Sequence, residues 1–315
     1  MKDTHPTSFE GLVPTPTWAF EQYQRLRDQL PQAKPSAEAP RWVPSLEPLS
    51  DRFDAFVFDA FGVLNTGPSV ITGAVERLAS LQAGGKPVLV LSNAATASVQ
   101  NLTKKYRGMG FDLTDHQIIS SRWLLEDALA RAPRQDDLWG VIAPSHSGSQ
   151  SLPGINQKPV RPGITDRELD GFGGFIFMSS EDWNETIHQQ LTASLNRHSR
   201  PLKVANPDLV APRGDCLTLE PGYFAHRLRE ATGVQPEFFG KPYAPAFAAT
   251  LDRLDGIKRN RILMVGDTLH TDILGAQAAG MATLLVCNHG SLKGMNIDDC
   301  VRQSGITPDW VAPSI

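Results

Sequence analysis

The chain has 315 residues, of which 41% are hydrophobic and 20% are charged, and its formal net charge is −4. This length allows a large core and predicts two domains, whereas the weakly acidic balance argues against nucleic acid as the main partner. Three cysteines without metal-ligand spacing favour a reducing, cytoplasmic location and argue against zinc. Because no stretch approaches about 18 consecutive apolar residues, we expect no membrane span.

Residues 1–50 form a proline-rich N-terminal extension, which we interpret as separate from the domains that follow. Eight prolines interrupt regular structure there. Within residues 17–30, Trp18, Phe20 and Tyr23 recur at roughly helical spacing and predict one short helix. We expect these aromatic side chains to dock on the body of the protein rather than to bind a ligand.

From residue 54 to about residue 120, apolar strands alternate with helices that end at glycines. This alternation predicts an α/β fold with a parallel sheet and right-handed crossovers. The basic residues at 104–107 are interpreted as the solvated face of a helix. Strands are predicted at 55–58, 87–91 and 117–120, and helices at 69–83 and 97–107.

Residues 122–205 change character and predict a smaller α/β domain inserted into the first. Strand-like segments at 138–143, 174–178 and 202–205 accompany a helix at 183–196. The main domain is therefore expected to comprise residues 51–121 and 206–315. For its second part we predict helices at 222–232, 244–254 and 272–279 and strands at 237–239, 261–265 and 282–287.

Asp59 follows directly after the predicted strand at 55–58 and precedes a glycine turn at Gly62. Such a strand delivers one carboxylate to the carboxyl edge of a parallel sheet, where open α/β folds bind ligands. A carboxylate at that edge can act as a covalent nucleophile toward phosphorus. Taken alone, the pattern fits a capping or turn aspartate equally well.

Further polar residues repeat this placement along the chain. Asp267 and Asp272 follow the strand at 261–265, and with Asp59 they would form a site of hard oxygen ligands suited to Mg²⁺. Ser92 follows the strand at 87–91, and Lys241 lies in a Gly-Lys-Pro turn. Nucleophile, hydroxyl, lysine and paired acids therefore occur in this order.

This order resembles the haloacid dehalogenase (HAD) superfamily of aspartate-nucleophile hydrolases, and the resemblance extends over residues 50–293. It implies a Rossmann-like parallel-sheet core with Asp59 as nucleophile, and Ser92 and Lys241 as the phosphate-binding hydroxyl and lysine. Asp267 and Asp272 match the metal acids of the family. Catalytic roles are thus expected for Asp59, Ser92 and Lys241.

The position of the inserted domain resembles class II of this superfamily, which carries a C2-type cap between the second and third motifs. Only 33 positions separate Asp59 from Ser92, whereas 149 separate Ser92 from Lys241 and leave room for a whole domain. The strings at 73–76, 205–208 and 271–276 resemble class IIA, which includes NagD-like, pyridoxal phosphate and sugar phosphate phosphatases.

The resemblance implies a Mg²⁺-dependent phosphatase that cleaves a small phosphate monoester, such as a sugar phosphate, through an aspartyl-phosphate. Mg²⁺ would lie between Asp59, Asp267 and the phosphate, and Asp272 would hold it directly or through water. Class IIA relatives often pair through their caps, which implies a homodimer. A small phosphorylated metabolite is the expected partner, with neither nucleic acid nor membrane.

Phe61 departs from the family pattern, which usually has an aspartate as general acid and base two residues after the nucleophile. Phenylalanine cannot donate a proton, so a contribution of about 10²–10⁴-fold is lost. The metal site would survive, because the residue here ligates in the family through its backbone carbonyl. Three explanations compete: a cap residue such as His146 or Asp208 replaces the acid, the leaving group needs none, or the enzyme is slow or silent.

Two alternatives to a phosphatase remain open because of Phe61. The residues at 59–62 look like the nucleophile motif of metal-independent 2-haloacid dehalogenases. Those enzymes insert their cap between the first two motifs and lack the pair formed by Asp267 and Asp272, whose charges would be costly without a cation. The second alternative is a catalytically weak HAD-like binding protein.

Substrate choice is expected to reside in the cap, which closes over the site and excludes water. Each candidate contact has a purely structural explanation, such as an Asx turn after proline or an ordinary loop. The candidate substrate-binding residues are Asn93, Asn206, Asp208, Arg213 and His146.

Overall fold

The computed structural model describes residues 9, 11–34, 38–132, 137–144, 151–213 and 216–315, with the backbone alone at Arg213. The predicted contact His146 therefore lies outside the described residues. Within the described part of the chain, no helix has the length and apolar character required to cross a membrane.

The larger sheet contains seven strands, and every neighbouring pair in it is parallel. From edge to edge the strands follow the order β1, β16, β15, β14, β2, β5, β6. They comprise β1 (Arg41–Trp42), β2 (Ala55–Phe58), β5 (Val88–Ser92), β6 (Ile118–Ser120), β14 (Ile262–Gly266), β15 (Ala282–Val286) and β16 (Trp310–Ala312).

Helices cover both faces of this sheet, as its continuous apolar strands require. On β2, Phe56 and Phe58 face a cluster with Leu78 and Leu102, whereas Val57 faces a cluster with Leu125. The helices that accompany this sheet are α2 (Ala74–Ala83), α3 (Val99–Gly108), α4 (Ser121–Arg131), α8 (Ala244–Arg253), α9 (Leu274–Ala278) and α10 (Ile297–Ser304).

A smaller, fully parallel sheet has five strands in the order β13, β10, β9, β7, β8. These are β7 (Leu138–Ile142), β8 (Asn156–Pro159), β9 (Gly174–Phe177), β10 (Leu202–Val204) and β13 (Pro236–Phe238), with helices α5 (Asp166–Asp170), α6 (Glu185–Arg197) and α7 (Pro221–Thr232). Two antiparallel hairpins complete the fold: β3 (Asn65–Thr66) with β4 (Ser69–Val70), and β11 (Val210–Arg213) with β12 (Cys216–Leu219).

The smaller sheet extends beyond residue 205, where the sequence-based division ends the inserted domain. Strand β13 pairs in parallel with β10, with Val204 opposite Phe238, and therefore adds an edge strand to the smaller sheet. The sequence of such a short apolar strand does not indicate which of two parallel sheets it joins. The prediction that the strand at 237–239 belongs to the main domain is therefore wrong. The remaining domain boundaries stay a prediction.

The N-terminal residues pack on the body of the protein through helix α1 (Pro16–Arg25). Phe20 and Tyr23 are buried, and both rings contact His270, which confirms the predicted docking of these aromatics. The interpretation of residues 1–50 as a separate extension is too simple, because β1 joins the larger sheet and Leu46 lies fully buried in its core.

Candidate active site

Three neighbouring strands of the larger sheet deliver polar side chains to one edge. Asp59 follows β2, Ser92 ends β5, and Asp267 follows β14, which lies on the other side of β2. The backbone N–H of Asp59 donates to Val265 O at 2.9 Å, so the sheet ladder itself fixes the start of the nucleophile turn. Parallel strands bring their carboxyl ends to the same edge, and this explains how distant residues meet.

One carboxylate oxygen from each of Asp59, Asp267 and Asp272 lies within 4.8 Å of the other two, and all three residues are buried. Lys241 Nζ forms ion pairs with two of these carboxylates. One ammonium group does not balance three carboxylates, and clustered buried charge of one sign is costly unless a cation offsets it. Burial and the neighbouring Asp272 and Asp59 raise the pKa of Asp267 well above its usual range. The donor set fits a hard divalent cation such as Mg²⁺.

Hydrogen bonds hold the two C-terminal acids in place. Ser291 N donates to Asp267 Oδ2 at 2.6 Å, and Thr268 Oγ1 donates to Asp267 Oδ1 at 3.2 Å. The backbone N–H groups of Asp267 and Thr268 each donate to Asp272 Oδ2 at 3.1 Å. Gly62 has a φ of +81°, and a Cβ there would meet Asp267 Cγ at 2.8 Å, so only glycine fits beside this carboxylate.

Lys241 lies at the centre of the charged cluster and is almost fully buried. Its Nζ donates a hydrogen bond to Asp59 Oδ1 and lies 2.8 Å from Asp272 Oδ1. Burial alone would lower the pKa of Lys241, but the carboxylates of Asp272, Asp59 and Asp208 outweigh it and raise that pKa. The ammonium group therefore stays charged and can bind phosphoryl oxygens.

Asn93 connects the lysine turn to the edge of the larger sheet. Its Oδ1 accepts from Lys241 N at 2.8 Å, and its Nδ2 donates to Lys241 O at 3.1 Å and to Asp208 Oδ1 at 2.8 Å. Ser121 Oγ also donates to Asn93 Oδ1, at 3.2 Å. These contacts favour a role in positioning Lys241, whereas the predicted contact of Asn93 with substrate stays a prediction.

A cavity of about 300 Å³ opens beside these groups, between the larger sheet and the smaller sheet with its helices α5, α6 and α7 and the hairpin β11–β12, which together we call the cap. Asp59, Ser92, Lys241 and Asp267 border it from the sheet side, and Phe61 lies next to them. From the cap side Asn206 and Asp208 border the same cavity. The structure thus brings together most of the residues singled out from the sequence, while the side chain of Arg213 lies outside the described residues.

Several residues that line the cavity were not identified from the sequence. Lys105 borders the cavity and its Nζ lies 4.9 Å from the centroid of the Phe61 ring, so its interpretation as part of a solvated face is wrong. Ser291 follows strand β15, and a search for polar residues after every predicted strand would have found it. Tyr23 belongs to helix α1, and no local pattern connects it to the site.

Two family models match the chain. A model of haloacid dehalogenase-like hydrolases matches residues 56–149, and a HAD-hydrolase-like model matches residues 238–315, so that together they cover more than half of the chain. The chain belongs to the haloacid dehalogenase superfamily. The family resemblance and the α/β fold predicted from the sequence are thereby confirmed.

Relatives of this HAD protein are named as phosphatases. Phosphoglycolate phosphatase 1A from Arabidopsis thaliana is 27% identical over 266 residues, which cover 80% of this chain and 73% of the relative. Acid sugar phosphatase from Staphylococcus aureus is 25% identical over 260 residues, which cover 82% of this chain and 94% of the relative. A HAD-superfamily structure from Cytophaga hutchinsonii, described as a possible sugar phosphatase, has a TM-score of 0.75 at 27% identity and covers 87% of this chain and 98% of its own. NagD from Escherichia coli has a similar fold, with a TM-score of 0.62 at 23% identity over 83% of this chain and 96% of its own.

Two acidic side chains, those of Asp208 and Glu220, border the cavity on the cap side, and their hydrogen-bond partners differ. Asp208 is half-buried at the cavity, and burial raises its pKa to about 7, while Lys241 and the hydrogen bond from Asn93 act in the opposite direction. Asn206 Oδ1 accepts from Asp208 N at 3.1 Å, so the Asx turn here is formed by the side chain of Asn206 and not by that of Asp208, for which the sequence suggested one. Asn206 Nδ2 donates to Glu220 Oε2 at 3.0 Å.

Proposed function

We propose that this HAD protein is a Mg²⁺-dependent phosphatase, a phosphoric monoester hydrolase that acts through an aspartyl-phosphate on Asp59. The observation that carries the proposal is the convergence of three buried carboxylates and one buried lysine on a single cavity. The named relatives support it, because they include an acid sugar phosphatase and a phosphoglycolate phosphatase.

In the proposed reaction, a carboxylate oxygen of Asp59 attacks phosphorus and the bond between phosphorus and the leaving-group oxygen breaks. Water then cleaves the aspartyl-phosphate and restores the carboxylate. Lys241 and Ser92 hold the phosphoryl oxygens as charged and neutral donors.

The metal would be held by Asp59 and Asp267 and by the backbone carbonyl of Phe61, with Asp272 bound directly or through water. When bound, Mg²⁺ offsets the negative charge that otherwise repels the phosphate from the carboxylates. Hydrogen bonds from backbone N–H groups orient the carboxylates of Asp267 and Asp272 for this role.

Asp208 supplies the proton donor that Phe61 lacks in this proposal. Its carboxyl group borders the same cavity as Asp59, and the raised pKa of about 7 keeps a substantial protonated fraction near neutral pH. Such a group can protonate the leaving-group oxygen as its bond to phosphorus breaks. Of the two replacement residues considered from the sequence, Asp208 is the one whose surroundings the structure describes.

The substrate that the cavity favours is a small polyhydroxylated phosphate such as a sugar phosphate. Asp208 and Glu220 offer acceptor oxygens on the cap side, which suit hydroxyl donors of the leaving group. Glu220 also disfavours a second negative charge at that position. A cavity of about 300 Å³ lies at the lower end of the range for small-molecule sites.

A panel of phosphorylated metabolites assayed with and without Mg²⁺ tests the activity, with p-nitrophenyl phosphate as a general substrate and 2-chloropropionate as the dehalogenase control. We expect metal-dependent phosphate release and no chloride release. Asp59→Asn is expected to abolish turnover. Chloride release without metal would favour the dehalogenase, and a complete lack of turnover would favour the binding protein.

Pairing of two caps in a homodimer stays a prediction, which light scattering after size exclusion can check.

A further inference from the structure

Tyr23 borders the cavity although it lies in the N-terminal helix α1, 36 positions before the nucleophile. The residue is 5% exposed, and its hydroxyl oxygen accepts a hydrogen bond from Leu209 N at 3.1 Å. Leu209 directly follows Asp208, the proposed proton donor. The tip of Tyr23 therefore lies at the junction between the cap and the nucleophile side of the cavity.

Helix α1 is fixed to the core beneath the metal acids. The Tyr23 ring stacks on the ring of His270 with centroids 5.2 Å apart and an interplanar angle of 10°. Gln24 Oε1 lies 2.6 Å from His270 Nε2, and Gln24 Nε2 donates to Gln303 O at 2.7 Å. Because His270 is separated from Asp272 by one residue only, these contacts tie the position of Tyr23 to the metal-acid turn.

The segment that follows α1 is fixed to the cap. Gln29 Oε1 lies 3.0 Å from His226 Nδ1 and accepts from Arg229 Nη1 at 2.9 Å, and both partners belong to helix α7. Residues 11–34 therefore contact both sides of the cavity. Tyr23 is a fixed part of the cavity wall, since a side chain held from both sides has little freedom to leave it.

The hydroxyl group of Tyr23 is a potential hydrogen-bond donor near the acidic residues of the cavity. Its oxygen accepts from Leu209 N, and within the described residues no acceptor takes the hydroxyl's own hydrogen. Burial and the nearby Asp208 raise the pKa of Tyr23 well above its usual range, so the phenol keeps its proton. The O–H group of the phenol is therefore available as a donor. A substrate bound in the cavity can accept this hydrogen bond.

We propose that Tyr23 is a specificity-determining residue of the active site, whose hydroxyl donates a hydrogen bond to an oxygen of the substrate's leaving group. Helix α1 then contributes one residue, Tyr23, to the substrate site. This inference rests on the proposed phosphatase function and adds a requirement for an oxygen acceptor, a hydroxyl or a carbonyl, close to the phosphate ester.

Tyr23→Phe tests the proposal because it removes the hydroxyl and keeps the ring stacked on His270. We expect kcat/KM for glycerol phosphate or a hexose phosphate to fall about 3- to 10-fold, mainly through KM, as for one lost hydrogen bond to a neutral group. Turnover of p-nitrophenyl phosphate, which lacks such an oxygen beside the ester, should stay within about twofold of the parent. Tyr223→Phe, a buried tyrosine that does not border the cavity, serves as the matched control.

The outcomes separate the two proposals. Wild-type protein that fails to hydrolyse any phosphate ester with Mg²⁺ contradicts the phosphatase function itself. Active wild-type protein with an equal loss on both substrate types in Tyr23→Phe shows that Tyr23 acts by ordering the loop at Leu209, and overturns its contact with substrate. Unchanged kinetics on every substrate overturn it as well. Thermal unfolding of each variant verifies that the fold is retained.

Discussion

Replacing Asp208 with asparagine removes the proposed proton donor while keeping the shape of the side chain. Asn93 Nδ2 donates to Asp208 Oδ1 at 2.8 Å, and the amide oxygen of an asparagine can accept the same hydrogen bond. Asn93 also holds the backbone of Lys241, whose position is therefore expected to persist in Asp208→Asn. The variant isolates proton transfer from phosphate binding.

The size of the effect depends on the leaving group. General acid catalysis contributes about 10²–10⁴-fold, so kcat for an alkyl phosphate should fall by that factor in Asp208→Asn, or by about 3–5 kcal/mol of transition-state stabilisation. A p-nitrophenolate ion departs without a proton. Its release should therefore fall by no more than about tenfold.

The pH dependence gives a second measure of the same group. Burial raises the pKa of Asp208 to about 7, so the proton donor is present below that pH and is lost as the pH rises through it. The kcat of the wild type on an alkyl phosphate should accordingly decline above about pH 7, and Asp208→Asn should lack this decline. Burial raises the pKa of the nucleophile Asp59 to about 6, against the effect of Lys241, and a bound cation would lower it, so the acidic limb lies at or below that value.

The assay compares kcat for a sugar phosphate and for p-nitrophenyl phosphate across pH, in the wild type, Asp208→Asn and Glu220→Gln. Glu220 borders the same cavity, so Glu220→Gln removes a negative charge from the cap side without removing the proposed acid. An equal loss on both substrates in Asp208→Asn, or a basic limb that persists in it, would refute the assignment.

Three further outcomes follow from the geometry. Lys241→Met leaves the buried carboxylates of Asp59 and Asp272 without their ammonium partner. In urea denaturation, the variant should lose about 3–5 kcal/mol of the free energy of unfolding and recover part of it in Mg²⁺. A urea midpoint equal to that of the wild type contradicts this expectation. Mg²⁺ at about 100 times its Kd should stabilise the wild type by about 2.7 kcal/mol in thermal unfolding, whereas Asp267→Asn should lose this shift and the exposed control Asp298→Asn should keep it. Leu46→Ala should cost about 2–5 kcal/mol because Leu46 is fully buried, and Val13→Ala, which is exposed, should cost almost nothing.

The sequence predicted the site better than the boundaries of the fold around it. Asp59 and Asp267 each follow an apolar strand and Ser92 ends one, and the parallel pairing of β5, β2 and β14 then brings them to one edge. This convergence follows from a local pattern and a topological rule, so sequence reasoning reaches it.

The contacts that sequence reasoning missed are set by packing over long distances. Strand β8 is a polar segment without apolar alternation, and β1 has only two residues and lies in a proline-rich segment, so neither carries a strand signal. Tyr23 reaches the cavity only because α1 packs on His270, a contact between residues 247 positions apart. Such contacts depend on tertiary packing and leave no local pattern in the sequence.

Trapping of the phosphorylated protein tests the central claim most directly. Protein turning over a substrate with Mg²⁺ is quenched, reduced with borohydride and digested, and mass spectrometry locates the homoserine that forms from an aspartyl-phosphate. We expect homoserine at position 59, and its absence when Mg²⁺ is withheld. An active enzyme that yields no homoserine, or yields it at position 267 or 272, would contradict the assignment of Asp59 as nucleophile.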